Sequence, residues 1–410
     1  MTSEGPGDRG SPFQFLLGDL MNMLGGANTD QWELTRAFGL NVATGGSAEP
    51  NVEPLQRIRL EELARVAELH VTEATGMPIS SDGRRVTCIP VGRGDWTARA
   101  LDAWRPALSA MAAPAPGAAP TAPPTTPENP FGGEMTGEGF GELMNQWATA
   151  IGPMFVGLQL GSVVGHLSHR ALGQYVLALP WPPADELLIV TANVTSFAED
   201  WSLPEEEALL WVCARELASH TVLSRPVVRG RLDELIHEVA KSAAAAQGGL
   251  SDQLQSLGDG GMDMESLQSL FGDPEALLGG LLTPEARHSS DQLTSLAVVI
   301  DAYADHVAEL VGASLVSSHS QLAEAWYRRR IERGKGEEAA GSLFGLDLEQ
   351  AQVDRGRAFV SGVIERAGED GLSRLWSSAR NLPTPAEVDA PGLWLERIDL
   401  PELDPPQADS

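Results

Sequence analysis

The chain has 410 residues, 42% of them hydrophobic, enough to bury a substantial core in two or three domains or in one large domain with insertions. A net charge of −29 and a pI near 4.5 create a field that repels polyphosphate, so nucleic acid and anionic membrane surfaces are excluded as expected partners. Two cysteines, Cys88 and Cys213, are too few for a disulfide framework or an all-cysteine zinc site, and the polar Met1–Pro12 stretch has no secretory character, so a reduced, cytoplasmic compartment is expected.

Residues 1–29 form a glycine-rich arm with an apolar Phe/Leu/Met cluster from Phe13 to Leu24. An N-terminal helical region follows at 30–111. Its elements are a short helix at Trp32–Phe38, a longer one at Pro54–Thr75 with apolar residues at helical spacing, a strand at Arg85–Val91 and a helix at Trp96–Met111. Residues 112–133 are dominated by Pro, Ala and Thr and read as an extended linker.

A larger helical region spans 134–400. Ala148–His169 carries no Asp, Glu, Lys or Arg and is long enough to cross a bilayer, but Pro153, Gln159, Ser162, His166 and its glycines lower its hydrophobicity. Gly157, Gly161 and Gly165 recur every four residues, the pattern of a helix in close contact with another, so a buried helix rather than a membrane span is expected. His166 and His169 on that helix read as packed or hydrogen-bonded side chains or as a chelating pair. Strands are expected at Tyr175–Leu179 and Glu186–Val194, followed by helices at Pro204–Ser224 and Val228–Gln247. After a Gly/Asp/Leu-rich insertion at 248–290 come helices at Asp291–Ser317, Gln321–Arg333, Leu348–Ala367 and Gly371–Ser378, and a tail at 401–410. The pattern predicts a mainly α-helical α+β fold with a small sheet beside helices.

The chemistry concentrates in the helix that Ser202-Leu-Pro204-Glu205 opens, a predicted capping box. Its core reads Arg215-Glu216-Leu217-Ala218-Ser219-His220, which is an H-E-x-x-H metal motif with Arg215 and Ser219 at the two histidine positions and one histidine, His220, a residue late. Arg215 and Ser219 share one face; Glu216 and His220 share another, rotated by about 100°. Three readings of the helix follow. Glu216 and His220, joined by a later acidic residue, form a shifted metal site; or Arg215 fills an empty site by pairing with a carboxylate; or the helix is an ordinary one. Arg328-Arg329-Arg330, beside Trp326 and Tyr327, is the densest positive cluster and reads either as an anion holder or as an exposed helix end paired with acids. No P-loop, GxGxxG or G-x-S-x-G motif is present, which counts against nucleotide-dependent and serine-hydrolase chemistry.

Beyond this helix, the chain resembles the zincin-like metallopeptidases, mostly actinobacterial, which include zinc-dependent metalloproteases, hydrolases and proteins associated with deazaflavin-cofactor biosynthesis. The resemblance covers nearly all of residues 30–397. It rests on Asn28-Thr-Asp-Gln-Trp32-Glu-Leu, Leu69-His-Val-Thr-Glu-Ala-Thr75, Gly157-Leu-Gln-Leu-Gly161, Thr191-Ala-Asn193-Val, the motif helix, Asp301-Ala-Tyr-Ala-Asp305-His306-Val, Gly356-Arg-Ala-Phe359-Val, Gly371-Leu-Ser-Arg-Leu-Trp376 and Asn381-Leu-Pro-Thr384. It implies a zincin-like fold over 134–400 and zinc-dependent peptide hydrolysis, in which Glu216 matches the general base and Asp301 the downstream acidic ligand, while Arg215 and Ser219 stand where histidines would bind. His220 is then the displaced ligand, with Asp305 or His306 as a third group. An Arg215–Asp301 contact is expected in place of the metal. The expected function is that of a weakened or inactive relative that binds a peptide or protein in the old cleft; the alternative is an active zinc hydrolase with Glu216, His220 and Asp301 as a shifted set.

Overall fold

The structure, a computed structural model, describes residues 31–112, 156–258 and 284–401. The 1–29 arm, the linker beyond Ala112, residues 259–283 of the insertion and the tail beyond Pro401 lie outside the described residues. In chain order the elements are α1 (Gln31–Thr44), α2 (Pro54–Thr75), β1 (Thr87–Pro90), α3 (Arg93–Ala112) and α4 (residues 156–168). Then come β2 (Glu186–Ile189), α5 (Thr191–Asp200), α6 (Glu205–Leu223), α7 (Pro226–Gly258) and α8 (Pro284–Leu315). The remainder is α9 (His319–Ile331), α10 (Lys335–Phe344), α11 (Gln350–Ser373), a 3-10 turn at Ala379–Asn381, α12 (Pro385–Val388) and α13 (Pro391–Asp399). The fold is mainly α-helical α+β, as the sequence predicts.

The sheet is a single parallel pair with Thr87 opposite Glu186 and Pro90 opposite Ile189. Parallel strands need a crossover, and here α3 and α4 lie within it. The sheet therefore joins the 30–111 and 134–400 regions, and one apolar cluster runs through both. Among the described residues no helix is long and apolar enough to cross a membrane. The α4 glycines explain its composition: a Cβ at Gly161 would collide with the Thr35 carbonyl of α1, and one at Gly165 would sit 2.6 Å from the Gly39 carbonyl. His166 and His169 both meet backbone carbonyls, with Nδ1 of His166 2.8 Å from the Ser162 carbonyl and Nε2 of His169 3.2 Å from the Val42 carbonyl.

Helix α6 is the axis of the molecule. Every residue from Ala208 to Leu223 is buried, so it has no solvent face, as expected of a helix enclosed on all sides. It packs against α2, α5, α8 and β2. Its start departs from the predicted capping box. Ser202 adopts φ 51° and closes the end of α5, with Ser202 N donating to the Glu199 carbonyl at 3.1 Å and Leu203 N to the Ala198 carbonyl at 2.8 Å. Glu205 meanwhile accepts from the Thr195 hydroxyl at 2.8 Å, and Pro204 is the N-cap. Committed to ending one helix, Ser202 cannot cap the next.

Three further expectations change. Tyr175–Leu179 is not a strand: it is an irregular loop whose amides serve other partners, and only Gly173 makes an isolated antiparallel bridge, to Ile189. The strand predicted at Glu186–Val194 stops at Ile189, because Thr191 onward turns into α5. Asn193, read as part of a strand, instead donates to the Ser168 and Ala171 carbonyls at 2.8 and 2.6 Å and accepts from Arg93 Nε at 2.7 Å. That side chain fastens the end of α4, and the loop after it, to α3 and α5. The predicted break between the last long helices is real as a kink, with Gly368 at φ 67° inside α11.

Candidate functional site: a buried ring of two arginines and two aspartates

Four charged side chains meet where α6, α8 and α9 converge. Arg215 projects from α6 toward α8, where Asp301 and Asp305, one helical turn apart, share a face. Arg215 Nη2 donates to Asp301 Oδ1 at 2.8 Å and its Nε to Asp305 Oδ1 at 2.9 Å. Arg330, from the last turn of α9, completes the set: Nη2 donates to Asp301 Oδ2 at 2.9 Å and Nη1 to Asp305 Oδ2 at 2.7 Å. Each guanidinium bridges both carboxylates and each carboxylate bridges both guanidiniums, a closed ring in which all four carboxylate oxygens are engaged. Trp326 Nε1 adds a bond to Asp305 Oδ1 at 2.9 Å, and its ring lies under the Arg215 guanidinium, 4.7 Å from carbon to centroid.

The electrostatics follow from burial opposed by pairing. For Asp305, burial would raise the carboxyl, but Arg330 and Arg215 outweigh it and hold the group below the usual carboxylate range. For Arg215, burial opposes the charge and the neighbouring Asp305, Asp301 and Glu216 more than restore it, so its pKa is raised. Two positive and two negative charges in one buried ring balance.

Glu216, one residue on, faces away from the ring's centre toward the loop after α4. Its Oε2 accepts from the Tyr175 amide at 2.7 Å, and Arg215 Nη1 lies 3.5 Å from Oε1. Burial pushes this carboxyl up to about 7, against the opposing effects of Arg215 and the Tyr175 amide. The loop can approach because residue 173 is glycine, since any Cβ there would collide with the Glu216 carboxyl. Tyr175 holds the motif helix through three groups: its amide to Glu216, its carbonyl accepting from Arg215 Nη1 at 3.3 Å, and its hydroxyl 2.9 Å from Nδ1 of His220. Burial lowers His220 to about 4, so its imidazole is neutral near neutrality, while burial and Glu216 raise the Tyr175 phenol. The phenol therefore stays protonated and shares a hydrogen bond with the neutral imidazole.

The structure thus brings together Arg215, Asp301 and Asp305 directly, with Glu216 and His220 linked to each other through Tyr175. Ser219 is buried one turn after Arg215. His306 is turned elsewhere: a residue beyond Asp305 on α8, it points to α11, where Nε2 lies 3.0 Å from Glu369 Oε1. Among the described residues no three His, Cys, Asp or Glu side chains converge as a metal-holding group. Sequence reasoning did not assign Arg330, Trp326 or Tyr175 to the site. The first two belong to the segment read as a positive cluster with flanking aromatics, so a signal existed; Tyr175, read as strand, offered none.

Beside the ring lies a cavity of about 50 Å³, lined in part by Tyr175, Trp326, Arg329, Arg330, Arg333 and Leu348. It is far smaller than the ~300–1,000 Å³ of pockets that enclose a drug-sized ligand.

Comparisons with known proteins agree with this architecture. No curated protein matches the chain. A crystal structure from Chloroflexus aurantiacus, of a protein described provisionally as a hydrolase with a novel fold, superposes with a TM-score of 0.59 at 22% identity, covering 90% of this chain and 99% of that one. At that identity it shows a shared fold. The model of one family, described as zincin-like metallopeptidase, matches residues 31–395, which include the motif helix, both ring aspartates and both ring arginines, and the chain belongs to that family.

Proposed function

We propose that this chain is a non-catalytic member of its family, in which the arginine–aspartate ring has replaced the metal and the remnant cleft binds a peptide or protein. The observation that carries the reading is the engagement of Asp301. Zinc is the group the family implies, and it takes three protein ligands and a water in a catalytic site. Both Asp301 oxygens instead accept from guanidiniums, Arg215 and Ser219 supply no imidazole, and His220 points its Nδ1 at Tyr175. A permanent cation at the position of Arg215 also repels a dication. These residues do not fit zinc. The size of the cavity favours capture of a chain end or a single group over an extended substrate.

Metal analysis tests the reading. Protein purified without chelator and dialysed should hold zinc far below stoichiometry, and chelator should leave its thermal midpoint unchanged. Stoichiometric, chelator-removable zinc, with peptide hydrolysis abolished by Glu216→Gln while the metal stays bound, would establish an active zinc hydrolase instead, and loss of that zinc in His220→Ala and Asp301→Ala would assign it the shifted ligand set.

A further inference from the structure

The three consecutive arginines of α9 have three different fates. Arg328 is exposed and pairs with Glu324 of the same helix at 2.6 Å. Arg330 closes the buried ring. Arg329 turns into the cavity, where Arg333, four residues on and just past the end of α9, joins it.

Among the described residues no carboxylate comes within ion-pair distance of the Arg329 or the Arg333 guanidinium. Arg329 donates to the Arg170 carbonyl and lies over Phe197, 5.6 Å from guanidinium carbon to ring centroid. Arg333 Nε donates to the Arg330 carbonyl at 3.0 Å. The nearby acids are occupied elsewhere: Glu337 by Arg170 Nε at 3.0 Å, Asp301 by the ring, and Glu216 by the Tyr175 amide. Beyond the balanced ring, the cavity wall carries three guanidiniums, from Arg170, Arg329 and Arg333, against the two carboxyl groups of Glu216 and Glu337. Burial, and the repulsion of Arg170, push Arg329 down to about 10, and burial with the repulsion of Arg330 lowers Arg333 as well. In a chain of net charge −29 this is a local positive potential held by structure, not by composition.

We propose that this cavity is an oxyanion site in which the free N–H groups of Arg329 and Arg333 hold a carboxylate or phosphate group. A guanidinium presents its donors in a planar fork matched to such oxygens. A volume of about 50 Å³ suits a group of that size, since one water needs roughly 10–15 Å³. Leu172, Val176, Leu177 and Leu348 supply an apolar rim that would receive a carbon bonded to the anion. The site gives the binding role proposed above its ligand chemistry and rests on that reading for its place in function.

Calorimetric titration of the full chain at low ionic strength tests the site with three probes: inorganic phosphate, a short apolar peptide with a free C-terminal carboxylate, and the same peptide amidated. Saturable binding of phosphate, of the free-acid peptide or of both, without binding of the amide, is expected, and which of the first two binds more tightly identifies the source of the oxyanion. Arg329→Gln/Arg333→Gln should weaken binding at least tenfold while the far-ultraviolet spectrum is unchanged, and the exposed control Arg328→Gln should not. No binding by the wild type, equal binding of the amide, or equal loss from the Arg328 control would overturn the proposal. Zinc content, measured on the same preparation, reports separately on the non-catalytic reading.

Discussion

Asp301→Asn is the sharpest perturbation of the ring, because it keeps the shape of the side chain and removes its charge. Asp301 accepts one bond from each arginine, at 2.8 and 2.9 Å, with Arg215 buried and Arg330 nearly so. Hydrogen bonds to charged groups contribute ~1.5–3 kcal/mol each, giving ~3–6 kcal/mol for the two. Removing one partner of a buried ion pair costs ~3–5 kcal/mol, chiefly because the surviving charge is left uncompensated. The two routes agree on about 4 kcal/mol, a large share of the ~5–15 kcal/mol that holds a typical protein folded. Urea unfolding followed by both fluorescence and circular dichroism would measure it. A second substitution separates charge imbalance from lost packing. Adding Arg330→Met to Asp301→Asn removes the surplus positive charge and returns the site to one pair, Arg215 with Asp305. The double variant should therefore be more stable than the sum of the single effects by ~1.5 kcal/mol or more, within the range of couplings seen between contacting residues. Additivity within ~0.5 kcal/mol, or a cost for Asp301→Asn below ~1 kcal/mol, would mean that the ring is not an energetic unit.

Glu216 and His220 should give opposing pH dependences. The Glu216 carboxyl is raised from 4.5 to about 7, so its contribution to stability is fully present below pH 4.5 and is lost as pH rises through 7. His220 is lowered from 6.5 to about 4, so the folded state is favoured above pH 6.5 and loses that contribution as pH falls toward 4. The slopes cancel across roughly pH 4.5–6.5, and Glu216→Gln should uncover the histidine by gaining ~3 kcal/mol relative to wild type between pH 4.5 and 8; a pH-independent difference would refute the burial of an ionisable Glu216. Gly173→Ala places a methyl group against the Glu216 carboxyl and should cost ~1–3 kcal/mol, read as a lowered thermal midpoint, with partial rescue when Glu216 is shortened to Ala. Restoring both histidines, Arg215→His/Ser219→His, should raise zinc affinity only weakly while Arg330 still holds both aspartates, and strongly once Arg330→Ala is added; equal affinity with and without Arg330 would show that α9 does not guard the site.

The elements that were legible in the sequence are those whose pattern is local. Pro54–Thr75 is a helix to the residue, because Pro54 opens it and Gly76, at φ 64°, ends it. The Arg215–Asp301 contact was legible because the family resemblance marked Asp301 as the downstream acid, and a guanidinium at a ligand position pairs with that acid once both are buried. What stayed hidden was decided by residues far apart in the chain. Ser202 looks like a cap for α6 until the end of α5 claims it. Tyr175 sits in a strand-like run, yet its amide is taken by Glu216, 41 residues away, and that donor is not available to a β ladder. His306 and Asp305 are neighbours in sequence, but a step of about 100° around α8 sends the histidine to Glu369 and the aspartate to the ring. Arg330 was visible only as one of three arginines, and nothing local distinguishes it, the one that closes the ring, from Arg329 in the cavity wall or the exposed Arg328.

On the proposed reading, the ring also accounts for how the fold holds together with Arg215 and Ser219 at the two histidine positions of the motif. Two buried carboxylates one turn apart on α8 carry two negative charges, and a dication is one way to neutralise them. Arg215 and Arg330 supply the same two positive charges from the protein itself, in planar groups that satisfy every oxygen of the pair. The difference lies in permanence. A metal leaves when its ligands are protonated or when a chelator competes, whereas a guanidinium stays charged at any pH the fold survives. Helices α6, α8 and α9 are consequently locked together regardless of metal supply, with Trp326 stacked on Arg215 and hydrogen-bonded to Asp305 so that even the flank of the ring is fixed. On the non-catalytic reading, a metal-bound water would need a coordination position that opens and refills, and the oxygens of Asp301 and Asp305 are all engaged by guanidiniums. A rigid cavity wall with two arginines that lack a carboxylate partner among the described residues would, on the same reading, be suited to holding a ligand, and replacement of the metal and the proposed anion site would belong to one structural change.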